Sequence, residues 1–155
     1  MELTDRQKDL QKQLDLPQID QIGMVVPDIQ AAMADYAPLF GPWMEMENEF
    51  DAEYRGQQHH CKIKMAFGKT GDLEIELIEP VEGVSPHTEF LDSGRSGMHH
   101  IRYRVDDVET RMAMAREIGY EVIWYKRFSE DMAFCYMEKP GDPLMIEFLQ
   151  MQGGY

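Results

Sequence analysis

Basic side chains are scarce in this chain. Its 155 residues carry 15 Lys and Arg against 29 Asp and Glu, a formal net charge of −14. A nucleic-acid surface needs a concentrated cationic field, and here the long-range field repels phosphate, so that class is set aside. A cation is drawn in instead. An anionic cosubstrate would need a local basic patch, which Lys62, Lys64, Arg102, Arg104, Lys126 and Arg127 could form. Cysteine is nearly absent: Cys61 and Cys135 sit alone in strand-like runs without CxxC spacing, which excludes a thiolate metal site and predicts buried free thiols. No apolar run approaches the length of a membrane span, and Met1 to Leu14 is charged throughout, unlike a signal peptide. A soluble, cytoplasmic protein without membrane partners is expected. Ser-His-Asp order, a phosphate-cradling Gly-rich loop and low-complexity segments are also missing, which removes hydrolase and nucleotide readings.

What the chain does have is a repeat. QIGMVVPDIQAAM from Gln21 matches HIRYRVDDVETRM from His100 in pattern, and setting Gln21 on His100 superposes Ile22 on Ile101, Val26 on Val105, Asp28 on Asp107 and Met33 on Met112. A second echo, at a different offset, sets GDLEIELIE from Gly71 against GDPLMIEFLQ from Gly141, with Glu76 on Glu147. Each copy therefore offers one polar residue on its first strand and one carboxylate on its last. If a pseudo-twofold axis relates the copies, Gln21, Glu76, His100 and Glu147 converge on one point.

Periodicity orders the rest. Thr4 and Gln7 form a capping box for a short peripheral helix that ends before Pro17. Ile19 to Val26 reads as a strand, Ile29 to about Leu39 as a helix, and His59 to Phe67 and Leu73 to Glu79 as strands; the acidic stretch Met44 to Arg55 fits either a loop or an edge strand. The second half runs helix Val108 to Ile118, then strands Tyr120 to Tyr125, Met132 to Glu138 and Leu144 to Met151. The predicted organisation is α+β: a peripheral helix over 1–18, a βαβββ module over 19–80, a connection with a short helix over 81–97, and a second βαβββ module over 98–155. Two open sheets of this kind would cup a site between them. Their edge strands predict a homodimer. The 13 methionines read as core gap-fillers.

One imidazole, two carboxylates and one amide oxygen suit an octahedral divalent ion, with Zn, Ni, Co, Mn, Fe and Mg all admissible. Such an ion stabilises the enolate formed when a proton is lost next to a bound carbonyl. Glu147, flanked by Met145, Ile146, Phe148 and Leu149, is a lone carboxylate in an apolar strand and needs a partner, a metal or a raised pKa. Glu76, Glu147 or the free His60 could act as the base. His99 and His100 should point to opposite faces by alternation, and His87 reads as a loop residue.

QIGMVVPDIQAAM, IELIEP, GMHHIRYRVDD and MIEFL together resemble the vicinal oxygen chelate superfamily (glyoxalase, bleomycin resistance and dioxygenase proteins), and within it methylmalonyl-CoA epimerase-like proteins. The resemblance covers nearly the whole chain after Ile19. It implies an open cup of two βαβββ modules and one divalent metal held by Gln21, Glu76, His100 and Glu147. It also implies epimerase, isomerase or lyase chemistry on a small molecule such as an acyl-CoA or thiol conjugate. The epimerases usually carry His at the position of Gln21 and Gln at that of Glu76, whereas this set is similar to that of certain glyoxalase I enzymes. A lactoylglutathione lyase and a bleomycin-resistance-like binding protein are the alternatives. The second, non-ligand acid/base glutamate of the epimerases falls near His60.

Overall fold

The structure, a computed structural model, describes residues 1–153. Helix α1 (Asp5–Leu14) starts at the capping box: Thr4 Oγ1 accepts from the Gln7 amide at 3.2 Å and Gln7 Oε1 from the Thr4 amide at 2.9 Å. It buries none of its residues, so it lies at the periphery.

The first half runs β1 (Gln21–Val25), α2 (Ile29–Phe40), β2 (Met44–Tyr54), β3 (Gln57–Thr70) and β4 (Leu73–Gly83). After the short α3 (Pro86–Asp92), the second half repeats the order as β5 (Gly97–Arg104), α4 (Val108–Glu117), β6 (Glu121–Arg127), β7 (Met132–Glu138) and β8 (Met145–Met151). The echo extends to the caps. Asp28 accepts from the Ala31 amide at 3.0 Å and Asp107 from the Thr110 amide at 2.8 Å, so each helix starts at the equivalent aspartate.

One open reading is settled and one expectation changes. The acidic stretch Met44 to Arg55 is a strand rather than a loop: β2 pairs with β3 along its whole length, and from Met44 to Ala52 its other side is an edge. Its acids line the outer face, where Glu47 meets Lys62 at 2.9 Å and Glu49 and Asp51 meet His60. Its other residues, Met46, Asn48, Phe50, Ala52 and Tyr54, face inward. The sheet is also not an open cup. Its order is a closed ring, β1-β4-β3-β2-β6-β7-β8-β5, pinched shut where Glu53 pairs with Tyr125 and Tyr54 with Trp124. Closure by two pairs leaves the β2 edge from Met44 to Ala52 unpaired among the described residues, so the edge-strand argument for a dimer rests on that stretch.

Three apolar clusters hold the ring. The interior is filled by side chains including Val25, Ile63, Ile78, Trp124, Phe134 and Leu149, joined by Phe90 of α3. Outside, α4 lays Val108, Met112 and Ala115 on Ala133, Cys135 and Phe148, and α2 lays Ile29 and Ala32 on Ala66 and Leu77. Fully burying side chains of this size is worth about 1.5–3 kcal/mol each, so each helix clamps its half from outside and leaves the inner faces for a site. Both cysteines are buried and free.

Candidate metal centre and its cavity

The four strands that carry the echoed polar residues are neighbours in the ring, in the order β4-β1-β5-β8. Strands β1 and β4 pair in parallel, as do β5 and β8, and β1 pairs with β5 antiparallel across the join between the halves. This brings Gln21, Glu76, His100 and Glu147 together inside the barrel, all of them buried. His100 Nε2 lies 3.2 Å from Glu147 Oε2, 3.5 Å from Glu76 Oε2 and 3.3 Å from Gln21 Oε1. The Gln21 amide donates its Nε2 hydrogen to Glu74 at 2.7 Å, which turns its oxygen toward His100.

The donor set fits a cation. Two carboxylates, an imidazole and an amide oxygen meet inside the barrel, and the ligand atoms of Glu76, His100 and Glu147 all lie within 4.8 Å of one another. Packed without a cation, two buried carboxylates would repel and lose their hydration. Burial raises the Glu76 pKa, against the hydrogen bond and charge of His100. Burial also works against a charged His100, but hydrogen bonds to Glu147 and Glu76 outweigh it and lift the imidazole to about 9. A proton thus occupies the nitrogen that would face an ion.

Gly23 pairs with His100 across β1 and β5, and a Cβ there would sit 1.9 Å from the His100 ring. The imidazole fills the space this glycine leaves open. The same strand pair carries a bulge, in which Gly23 pairs with His100 and Met24 with Met98. His99 has no partner in this register, so it does not turn away as alternation required, and both rings are buried. His99 Nδ1 lies 3.1 Å from His100 Nδ1. Burial lowers the His99 pKa, so its neutral Nδ1 accepts the hydrogen of His100 Nδ1 and leaves His100 Nε2 aimed at the three oxygens.

His87 is likewise not a loop residue. It lies in α3, fully buried, with Nε2 3.0 Å from the Tyr136 hydroxyl and its ring beside Trp124. Burial keeps His87 neutral and Tyr136 protonated. The Ser85-Pro86 start and the spacing of His87 with Phe90 and Leu91 on one helical face were the signals for this placement.

His60 is not brought to the cluster. On β3, Cys61, Ile63 and Met65 face inward, which turns His60 outward, its side chain 49% exposed between Glu49 and Asp51. Several of the basic residues are engaged by acids or rings: Lys62 pairs with Glu47, Arg127 with Glu109, Arg104 reaches Asp20, and Lys126 lies over the Phe128 ring. Arg102 grips Asp20 through two hydrogen bonds of 2.9 and 3.0 Å.

Beside the cluster is a cavity of about 180 Å³. Glu76 and Glu147 form part of its wall, with Ile63, Met65, Trp124 and Phe134 among the rest.

Residues 20–136 match the Glyoxalase/Bleomycin resistance protein/Dioxygenase superfamily. The chain is similar to an ethylmalonyl-CoA/methylmalonyl-CoA epimerase of Cereibacter sphaeroides, 28% identical over 106 residues, which covers 68% of this chain and 73% of that protein. It is 27% identical over 94 residues to the mitochondrial methylmalonyl-CoA epimerase of Mus musculus, covering 60% of this chain and 48% of that one. Among solved structures, a hypothetical protein from Bacillus halodurans has a TM-score of 0.63 at 22% identity, covering 89% of this chain and 96% of that one. The methylmalonyl-CoA epimerase of Mycobacterium tuberculosis has a TM-score of 0.61 at 20% identity, covering 89% and 90%. These structural likenesses speak to the fold. With the sequence match running from the start of β1 into β7 and the paired halves folding as their echo predicts, the chain belongs to the Glyoxalase/Bleomycin resistance protein/Dioxygenase superfamily.

Proposed function

We propose that this protein is a divalent-metal-dependent enzyme that removes the proton next to a carbonyl, with epimerase-like chemistry. The observation that carries the reading is the convergence of four oxygen and nitrogen donors, two from each half, beside a cavity. Gln21, Glu76, His100 and Glu147 would hold the ion, which when bound supplies a Lewis acid for the carbonyl oxygen of a small molecule, acyl-CoA thioesters included.

The chain's own residues do the rest. His99 and Glu74 orient His100 and Gln21, fixing which atoms face the centre. The carboxylates of Glu76 and Glu147 face the cavity and are the groups in reach of a substrate proton. Burial makes Glu76 a stronger base than a solvated carboxylate, which moves it toward the carbon acid it must deprotonate.

The test is exchange. Carbonyl compounds incubated in deuterated water with metal-loaded protein acquire deuterium at the adjacent carbon, and Glu147→Gln slows this by about a hundred- to ten-thousand-fold. A protein that holds its ion and exchanges nothing across a broad panel is a binding protein of the bleomycin-resistance kind, and the enzyme reading is then wrong.

A further inference from the structure

The cavity walls restrict what can lie next to the activated carbonyl. Ile63, Met65, Phe67, Trp124, Phe134 and Leu149 face the space beside Glu76 and Glu147. Phe50, Trp124 and Phe134 form an aromatic corner, with centroid separations of 5.7, 5.9 and 4.6 Å. Polar groups are few: besides the two glutamates, Asn48, Arg102, Tyr136 and Trp124 with its indole N–H line the cavity, and the Tyr136 hydroxyl is already engaged by His87 at 3.0 Å. Arg102 is engaged by Asp20, and its Nη2 is 3.5 Å from Glu74.

A second carboxylate on a substrate would therefore enter an apolar space that already faces two acidic side chains. Drawing Arg102 over to meet it would break its two hydrogen bonds to Asp20 and leave Asp20 with Arg104 at 3.6 Å. Burying an anion without a partner is costly, and a neighbouring like charge adds to the cost. An apolar group meets the opposite conditions. An apolar cavity of about 150 Å³ is large enough to take benzene. The 180 Å³ here holds one ring or a short branched chain. Met46, Met65, Met132 and Met151 also line the space, and flexible thioether side chains adapt to more than one such shape.

We propose that the substrate of this site carries an apolar group about the size of one aromatic ring beside its metal-facing carbonyl, and that dicarboxylic acyl groups such as malonyl derivatives are rejected. This rests on the reading of the cluster as a carbonyl-activating metal centre and narrows it.

The probes are hydroxamic acids, which chelate a metal as the hydroxamate anion and so imitate an enolate, titrated into zinc-loaded protein and followed by calorimetry and tryptophan fluorescence. From acetohydroxamate upward, each added methylene tightens binding about fourfold until the cavity is full. Benzohydroxamate binds tighter than acetohydroxamate, and malonohydroxamate binds weaker. Asn48 is exposed on the cavity rim, so Asn48→Lys adds a cation there without disturbing the core, and it shifts the preference toward the malonyl probe. A parent protein that prefers malonohydroxamate, or shows no gain along the apolar series, overturns the proposal. Toluene against propionate in metal-free protein separates the two readings. If the protein binds no zinc but still takes up toluene, the metal centre fails and the apolar cavity stands. If it binds zinc but excludes toluene, the substrate class fails and the centre stands.

Discussion

Gly23→Ala tests whether the space beside β1 is reserved for the imidazole of His100. A Cβ at position 23 would lie 1.9 Å from Cε1, 2.3 Å from Nε2 and 2.5 Å from Nδ1 of that ring. Ordinary contact begins at 3.4 Å, so the ring must retreat by about 1.5 Å. It has little freedom to do so, because Nε2 faces Gln21, Glu76 and Glu147 and Nδ1 meets His99. Overpacking of this kind costs about 1–3 kcal/mol. Replacing glycine inside a strand returns roughly 0.5–1 kcal/mol, so the clash wins by about 1–2 kcal/mol. Moving a ligand atom this far also weakens divalent-ion binding, by at least the tenfold to hundredfold seen when an outer partner is lost. Urea unfolding and calorimetry read both effects, and a double-mutant cycle with His100→Ala isolates the cause. With the ring gone, Gly23→Ala becomes neutral or stabilising. An equal cost in both backgrounds would refute the steric argument.

Divalent-ion affinity rises about tenfold per pH unit between pH 6 and 8, because an ion must displace the proton that His100 holds up to about 9. A flat calorimetric profile over that range would show that His100 is not a ligand. Tyr136→Phe leaves buried His87 Nε2 without its partner, while His87 Nδ1 has none already, and costs about 1–3 kcal/mol in urea unfolding. An unchanged midpoint would mean the pair contributes nothing. His60→Ala leaves ion affinity and exchange activity at parent levels, since His60 faces solvent between Glu49 and Asp51. Lost turnover with retained metal would return His60 to the chemistry.

The halves and the four donors were legible because their signals are local. The apolar residues alternate, an aspartate caps each echoed helix, and the same residue types recur at matching positions. The strand β2 was equally regular, alternating acid with Met, Asn, Phe, Ala and Tyr from Glu45 onward. Its inward residues are too mixed to read as an apolar face. What stayed hidden depends on pairing between distant segments. The bulge that turns His99 inward exists only because β5 lies against β1, and ring closure rests on two residue pairs between β2 and β6. Gly23 falls on Arg102 in the repeat, so the position where the echo breaks is where one half makes room for the imidazole of the other.

Charge balance ties these features together. Glu76 and Glu147 bring two negative charges into a buried space, and Gln21 and a neutral His100 bring none. A divalent ion would balance them with the imidazole uncharged. Without an ion, hydrogen bonds to the two glutamates hold a proton on His100, and burial raises the Glu76 pKa. Arg102, which grips Asp20 at 2.9 and 3.0 Å, also acts on Glu76 through its charge and opposes the rise that burial causes. The cluster still buries two carboxylates, and a positive charge that can come and go beside them is the condition under which one carboxylate can take up and release a substrate proton.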